Sequence, residues 1–438
     1  MKKFIFGIFI LLLCINLALA GGIVTNANQS AQYIRTLNRN ASTSVDAAYY
    51  NPAGLAKLDD GIYFLLSNQS ISQTKEVASD LATLNAAEYT GEVRAMIFPD
   101  VHVAYKMGDL ALSGSIMPIG GGGSADYADG LPSFEYNYAG LVGVPASALS
   151  PALAAFGTIT GYTADAEFSG SSIYFAGQAN VAYAVNDMLS VAVGGRYVSA
   201  NNKYEGSITN VTLKTSSLMD ITSTYVPTLA DIELEATQTG TGFTGIVGLN
   251  ATPISGLNIG FRYELATGLE LTNENDDPNS VLYPDGEKVN ADMPSMIALG
   301  ASYAVMPQMR AEASLNYFQN TSANWDGDED DTENGFETGL GIEYGINDAL
   351  TASVGFLYSK SGATADYRKD TRLNLDSSTL GFGVGYNLTE ALQVNIAGLM
   401  TTYTEATKTL SALTNTMTPE ETYNQSTFVF AFGVNYSL

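Results

Sequence analysis

The sequence predicts an all-β fold: a transmembrane barrel of fourteen antiparallel strands with a small N-terminal hatch in its lumen. Three observations predict it. Beyond an export signal the chain holds no run of 18 or more apolar residues, so spanning helices are excluded. Apolar and polar residues alternate along many segments, the period of strands with two unlike faces. Tight turns with an aromatic just upstream recur, while the connections between them are long and acidic, the loop asymmetry of an outer-membrane barrel.

Composition sets the outer limits. Of 438 residues only 15% are charged, and there are 43 Gly and 26 Tyr but one His, one Cys and one Trp. A net charge of −26 leaves no basic stripe with which to displace counterions from phosphates, so nucleic acid is not a partner. A single His and a single Cys do not build zinc or haem sites, and no cofactor is expected.

The chain opens with Lys2 and Lys3, an apolar run from Phe4 to Leu13, then Ala18-Leu19-Ala20 before Gly21. This is a secretory signal peptide over residues 1–20, cleaved after Ala20. Its removal takes two lysines and Cys14, the only cysteine, so the exported chain forms no internal disulfide. Residues 21–58 have mixed polarity without sustained alternation and form the hatch; residues 59–438 form the barrel with long extracellular loops.

Alternation places the strands. Leu189, Val191, Val193 and Tyr197 face one way, and Ser190, Ala192, Gly194 and Arg196 the other. The same holds for Leu257, Ile259, Phe261 and Tyr263 against Asn258, Gly260, Arg262 and Glu264, and for Phe428, Phe430, Phe432, Val434, Tyr436 and Leu438 at the C-terminus. The repeat reads Tyr105 before Met107-Gly108-Asp109, Tyr183 before Asn186-Asp187, Tyr303 before Met306-Pro307, Tyr344 before Asn347-Asp348 and Tyr386 before Thr389-Glu390. A looser copy has Leu249 before Thr252-Pro253. Six hairpins plus a first and a last strand make fourteen. A soluble barrel would bury the Leu, Val, Ile and Phe face, whereas here that face ends in tyrosine at the turn side, as a girdle at a lipid interface does. The opposite face is small, with Gly194, Gly260, Gly300, Gly339, Gly341, Gly381, Gly383 and Gly385, leaving a lumen for something else to fill.

The hatch contains Asn51-Pro52-Ala53 just before the first strand. On physics alone this is a tight turn. Its position after a signal peptide and a short plug, together with fourteen strands, resembles the FadL-type family of outer-membrane transporters for long-chain fatty acids and aromatic hydrocarbons. The resemblance spans the mature chain. It implies a hatch carrying this motif, a break in the third strand that opens the wall sideways, and extracellular loops that capture ligand. The third strand, read as Asp109 to Ile119, offers Gly114, Pro118 and Gly120 for that break, since proline cannot donate to the ladder and glycine weakens it. Pro118 either kinks the strand or closes it, and Pro99 in the second strand is a rival position.

The loop after the third strand is apolar for an extracellular segment. Its Leu141, Val142, Val144, Leu149, Leu153 and Phe156, with Leu218, Met219, Ile221, Tyr225, Val226 and Leu229 of the next loop, either form a capture surface or pack only on one another. Arg196, Arg262 and Arg310 point into the lumen and are candidate partners for a ligand carboxylate. They compete with Glu264, Glu312, Glu343 and Asp46, and pairing within the protein is the better reading; Arg35 and Arg39 share the ambiguity. Asp326, Asp328, Asp330 and Glu337 have part of a calcium-loop spacing, but Asp331 stands where glycine is needed, so no metal site is assigned. His102 faces inward with no constellation for hydrolysis, and an enzyme is not expected.

The expectation is a monomeric outer-membrane barrel, amid lipid and lipopolysaccharide, passing a hydrophobic small molecule inward by passive diffusion. A passive porin for hydrophilic solutes and a structural or adhesive barrel are the alternatives.

Overall fold

The computed structural model describes residues 23, 28–217, 221, 232–276, 283–410 and 418–438. The signal peptide with its cleavage after Ala20, and loop residues Leu218, Met219, Tyr225, Val226 and Leu229, lie outside the described residues.

Fourteen strands make the wall. They are β1 (Gly61–Ser79), β2 (Glu88–Met107), β3 (Leu110–Tyr127), β4 (Ile159–Ala184), β5 (Leu189–Thr215), β6 (Ile232–Ile254), β7 (Leu257–Glu264), β8 (Met296–Met306), β9 (Met309–Phe318), β10 (Gly335–Gly345), β11 (Leu350–Lys360), β12 (Ser377–Asn387), β13 (Leu392–Tyr403) and β14 (Glu420–Ser437). Each pairs antiparallel with the next, and β14 returns to β1, from Tyr63 opposite Ser437 to Ser79 opposite Glu421. The sheet closes on itself as a barrel. Short strands at Gly268–Glu274, Lys288–Asn290 and Ala406–Thr409 extend the wall above β6 and β14.

Alternation decides which face each residue meets. On β5, Leu189, Val193 and Tyr197 stand exposed on the outside while Ser190, Ala192 and Arg196 are buried inside. Exposed Leu66, Phe243, Leu340 and Phe432 belong to the same outer stripe, with Tyr105, Tyr183, Tyr303, Tyr344 and Tyr386 at its turn-side rim. In a bilayer this exposed apolar band is the buried one, and the tyrosines lie where ring and hydroxyl meet different solvents.

Two expectations need correction. The sixth turn is not Thr252-Pro253: β6 continues to Ile254, and the chain reverses at Ser255-Gly256, where Gly256 takes φ +81°. Thr252 and Pro253 fall in a register shift between Ala251 and Ile254, a bulge in which proline's missing donor is harmless. The third strand does not stop at Ile119 but runs to Tyr127, because β4 goes on pairing with it through Pro118 opposite Phe175 and Tyr127 opposite Phe168.

The N-terminal segment lies inside the wall. Helices α1 (Ala31–Thr36) and α2 (Ala47–Tyr50) and a 3-10 turn at Pro52–Lys57 are almost wholly buried, and their Tyr33, Ile34, Leu37 and Tyr50 join one apolar cluster with Ile119, Tyr174, Leu399 and Val429 from the inner face of the barrel.

Candidate functional site

The inner glycines explain how this segment fits. A Cβ on Gly433 would stand 2.9 Å from Ala31 Cβ, one on Gly381 2.3 Å from the Ile34 carbonyl oxygen, and one on Gly355 2.0 Å from that of Thr36. The track continues with Gly339 at 2.9 Å from Asn38 Oδ1, Gly260 at 2.0 Å from the Asn40 carbonyl oxygen and Gly248 at 2.5 Å from Asn51 Oδ1. Glycines on β14, β12, β11, β10, β7 and β6 thus trace the segment's path in chain order, and at Gly381, Gly355 and Gly260 the wall comes so close to the segment's backbone that only a residue without a side chain fits. Gly260, Gly300, Gly339, Gly341, Gly381, Gly383 and Gly385 all face the segment; Gly194 instead faces Asn180.

Charge pairs complete the seat. Arg39 grips Asp46 through two bonds of 2.8 and 2.9 Å, and Arg35 reaches Glu343 at 2.9 Å and Asn395 at 2.6 Å. Ser30 caps α1 by accepting from the Tyr33 amide, and Leu37 ends it in the left-handed region. In the tripeptide, Asn51 accepts from the Ala53 amide at 3.3 Å and donates to the Leu249 carbonyl of β6 at 2.9 Å, while Ser190 of β5 donates to the Ala53 carbonyl at 2.7 Å. Pro52 opens the 3-10 turn, where its missing N–H costs nothing. Asn51, Pro52 and Ala53 therefore tie the segment's end to two wall strands.

The three arginines named as partners for a ligand carboxylate are committed to carboxylates of the protein. Arg196 makes two bonds to Glu264 at 2.8 and 2.9 Å; Arg262 reaches Glu264 at 2.9 Å and also donates to the Tyr49 carbonyl. Their guanidinium carbons lie 4.9 and 5.2 Å from the centre of the Tyr49 ring, so the pair clamps the segment. Arg310 pairs with Glu343 and lies 3.4 Å from Glu312. The acidic residues with calcium-like spacing disperse: Asp326 receives Asn290, Asp328 receives Arg372, and Glu337 points into the lumen and accepts from Asn316.

Between β2 and β3 the wall is interrupted. Val93 pairs with Ala125 and Val101 with Ile116, but the stretches 94–100 and 117–124 between those rungs do not pair with each other. Pro118 and Gly120 lie in this interruption, as does Pro99 on the opposite lip, whereas Gly114 sits in regular ladder opposite Val103 and plays no part in it. Gly121 and Gly123, with φ of +76° and +107°, supply the bend that sequence reading did not assign to them. A carbonyl freed by the interruption still needs a donor: Gln29 of the N-terminal segment donates to the Pro118 carbonyl at 2.8 Å. His102 meets the Gln29 carbonyl through Nε2 at 2.9 Å and Ser115 through Nδ1 at 2.8 Å, and because a carbonyl only accepts, Nε2 carries the proton. On the outer side of the same stretch Met96 and Ile97 are 69% and 78% exposed, an apolar lip toward lipid.

Above the segment is a cavity of about 490 Å³. Gly121, Gly123, Val93 and Ile71 place its wall at the interruption, Tyr33 lies at its floor, and Tyr174 and Leu399 add apolar surface. The cavity therefore touches both the plug and the gap in the wall.

The extracellular loop between β3 and β4 is folded rather than spread open. Leu141 and Leu153 are buried, and Val142, Leu149 and Phe156 are partly buried against them and against Ile159, Ile208 and Ile221; Val144 is half-buried, its carbonyl accepting from the Ile159 amide. Helix α3 (Pro132–Ala139) anchors this cap. Its Glu135 accepts from Tyr89 and Tyr162, its Tyr136 donates to Glu421, and the Ser133 amide donates to Asp370 at 2.9 Å.

Glu421 makes this anchor sensitive to pH. It stands seven residues above Phe428, where the lipid-facing stripe of β14 begins, and burial followed by the nearby Asp370 charge pushes its carboxyl up to about 7; burial raises Asp370 as well. A carboxyl raised on folding stabilises fully below its unfolded value and loses that contribution as pH rises through the folded one. Amide exchange in residues 132–139, corrected for intrinsic rate, is expected to be slower at pH 5.5 than at pH 8, and E421Q is expected to flatten the difference. Equal pH dependence in the two proteins would refute this reading.

Comparison with known proteins agrees with this architecture. Residues 279–437 match the family described as outer membrane protein beta-barrel domain. No curated protein matches the sequence. Among solved structures, a FadL homologue of Pseudomonas aeruginosa superposes with a TM-score of 0.66 at 12% identity, covering 95% of this chain and 99% of that one. The Pseudomonas putida toluene transporter TodX gives 0.59 at 14% identity over 95% and 99%, and the Ralstonia pickettii toluene transporter TbuX 0.52 at 17% over 90% and 94%. At such identities the likeness is one of fold alone.

Proposed function

We propose that this barrel is a FadL-type channel that passes hydrophobic small molecules, fatty acids or hydrocarbons, inward across the outer membrane by passive diffusion. The observation that carries the reading is the interruption between β2 and β3, opening beside a cavity whose floor is the N-terminal segment. A hydrophilic solute gains nothing from an exit into lipid; an apolar one is already in its preferred solvent there. The route runs from the half-exposed side chains of the loop cap, Val142, Val144, Leu149 and Phe156, into the cavity, and out between Gly121 and the apolar lip at Met96 and Ile97. Leu141 and Leu153 hold the cap together. The hatch, beginning after cleavage at Ala20 and ending at Leu58, closes the path to water, and the single chain suffices as a monomer. Fold relatives solved as toluene transporters support the reading.

The test has two arms. Barrel purified in mild detergent and extracted under denaturing conditions is expected to yield an apolar molecule displaceable by an added analogue. Reconstituted in a planar bilayer, it is expected to show no steady ionic current. Steady current from an empty barrel would establish the porin instead, and neither current nor ligand the adhesive barrel. Asn51→Ala and Pro118→Ala, made separately, are each expected to slow uptake of a hydrophobic probe several-fold with assembly intact.

A further inference from the structure

We infer that Lys75 is the binding group for a ligand carboxylate, and that the physiological ligand is an anionic amphiphile rather than a neutral hydrocarbon. The inference rests on the transport reading above and narrows its substrate class.

Among the described residues three cations line the cavity above the plug: Lys75, Lys360 and Arg372. Two are neutralised, Lys360 by Glu333 at 2.6 Å and Arg372 by Asp328 at 2.7 Å, with Arg372 also lying over the Tyr367 ring. Deeper in the lumen Arg35, Arg39, Arg196, Arg262 and Arg310 are all in ion pairs. Lys75, half-buried and pointing inward, has no carboxylate within 4.0 Å among the described residues. Its sequence neighbour Glu76 faces the other side of β1 and accepts from Asn424. A cation held in a cavity without a counter-ion is disfavoured unless something else supplies the charge, which makes it a site by default.

The position suits an amphiphile. Lys75 pairs in the ladder with Gly91, which pairs in turn with Tyr127, and the Tyr127 ring covers Gly91 where a Cβ would lie only 2.3 Å from it. These are closed rungs just above the interruption. Ile71, four residues down β1 and so about 13 Å lower, lines the same cavity and pairs with Ala95 in the unpaired stretch of β2. A carboxylate on Lys75 thus directs its apolar tail along Ile71 toward the gap. The one carboxylate lining the cavity among the described residues, Glu337, stands five strands away around the wall and is occupied by Asn316, so it does not repel the head group at close range.

The experiment compares three probes of equal chain length, a fatty acid, its methyl ester and the alkylamine, with toluene as a fourth, for binding to and passage through the full-length barrel. Wild type is expected to bind the acid at least tenfold tighter than the ester. Lys75→Met is expected to erase that preference with ester binding unchanged, and Lys75→Arg to keep it. Equal affinity of wild type for acid and ester, an acid preference that survives Lys75→Met, or preference for the amine would overturn the assignment while leaving transport intact if ester or toluene still crosses. If none of the four probes binds or crosses, the transport reading itself fails.

Discussion

Gly355→Val is expected to unseat the N-terminal segment without preventing the barrel from forming. The new Cβ would stand 2.0 Å from the Thr36 carbonyl oxygen and 2.2 Å from its carbon, and both partners are backbone, so no rotamer change relieves the clash. Overpacking of a close-packed interior costs about 1–3 kcal/mol when side chains can yield, and here the cheapest relief is for the whole helix α1 to move off the wall. The barrel's own ladder is untouched, since Gly355 keeps its pairing with Gly341 and Gly381 through backbone atoms. The expected results are a normally assembled barrel, protease cleavage within residues 28–57, and steady ionic current where wild type passes none. Gly260→Val, 2.0 Å from the Asn40 carbonyl oxygen on the far side of the segment, is the second probe should Gly355→Val fail to assemble. Gly114→Val is the control, because nothing stands nearer than 3.8 Å to its Cβ. A segment that stays protected and a channel that stays closed in both test variants would show that the glycine track does not seat the plug.

That track marks how far the sequence was legible. The wall reads directly from alternation because a lipid-exposed strand must be apolar on every second residue, and hairpins such as Tyr183 to Asn186-Asp187 announce themselves by chemistry local to the turn. The turn at Gly256 was misplaced because Thr252-Pro253 is equally turn-like, and only pairing partners distinguish a bulge from a reversal. The small inner face was readable as room for a filler, but which glycine meets which residue of the filler depends on contacts across up to roughly four hundred positions of sequence. The interruption in the wall was approached through Pro118 and Gly120, while the bend itself lies in Gly121 and Gly123, whose positive φ no local rule assigns within a run of four glycines. Arg196 and Arg310 could be placed inside by parity, yet whether their charge was free required knowing that Glu264 and Glu343 stand within reach. Lys75 carries no local signal of its role: only the pairing around it and the cavity it lines show that it faces the lumen rather than the loops.

Asp46→Ala is expected to loosen the plug from within, through charge rather than shape. Asp46 is fully buried and accepts from Arg39 at 2.8 and 2.9 Å, from Ser42 at 2.7 Å and from Ser30 at 3.1 Å. Burial by itself would raise its carboxyl, but the Arg39 guanidinium and the Ser42 hydroxyl hold it below the ordinary aspartate value. Removing it leaves Arg39 buried with Glu312, at 3.7 Å, as its nearest remaining carboxylate among the described residues. Breaking a buried pair by deleting one partner costs about 3–5 kcal/mol, whereas replacing both with apolar residues costs far less. Amide exchange over residues 29–57 is therefore expected to accelerate by two or more orders of magnitude in Asp46→Ala, with the barrel strands unchanged, and the double variant Arg39→Met, Asp46→Leu should recover part of the protection. The depressed carboxyl fixes the sign of the pH effect: its contribution is present above the ordinary aspartate value and is lost as pH falls through the folded one. Falling pH therefore tightens the loop cap at Glu421 first, through neutral pH, and loosens the plug only in acid below the ordinary aspartate value, so the two ends of the lumen answer to different pH windows with opposite signs. Unchanged exchange in Asp46→Ala would mean that the wall alone holds the segment, and that the Arg39–Asp46 pair is incidental to its seat.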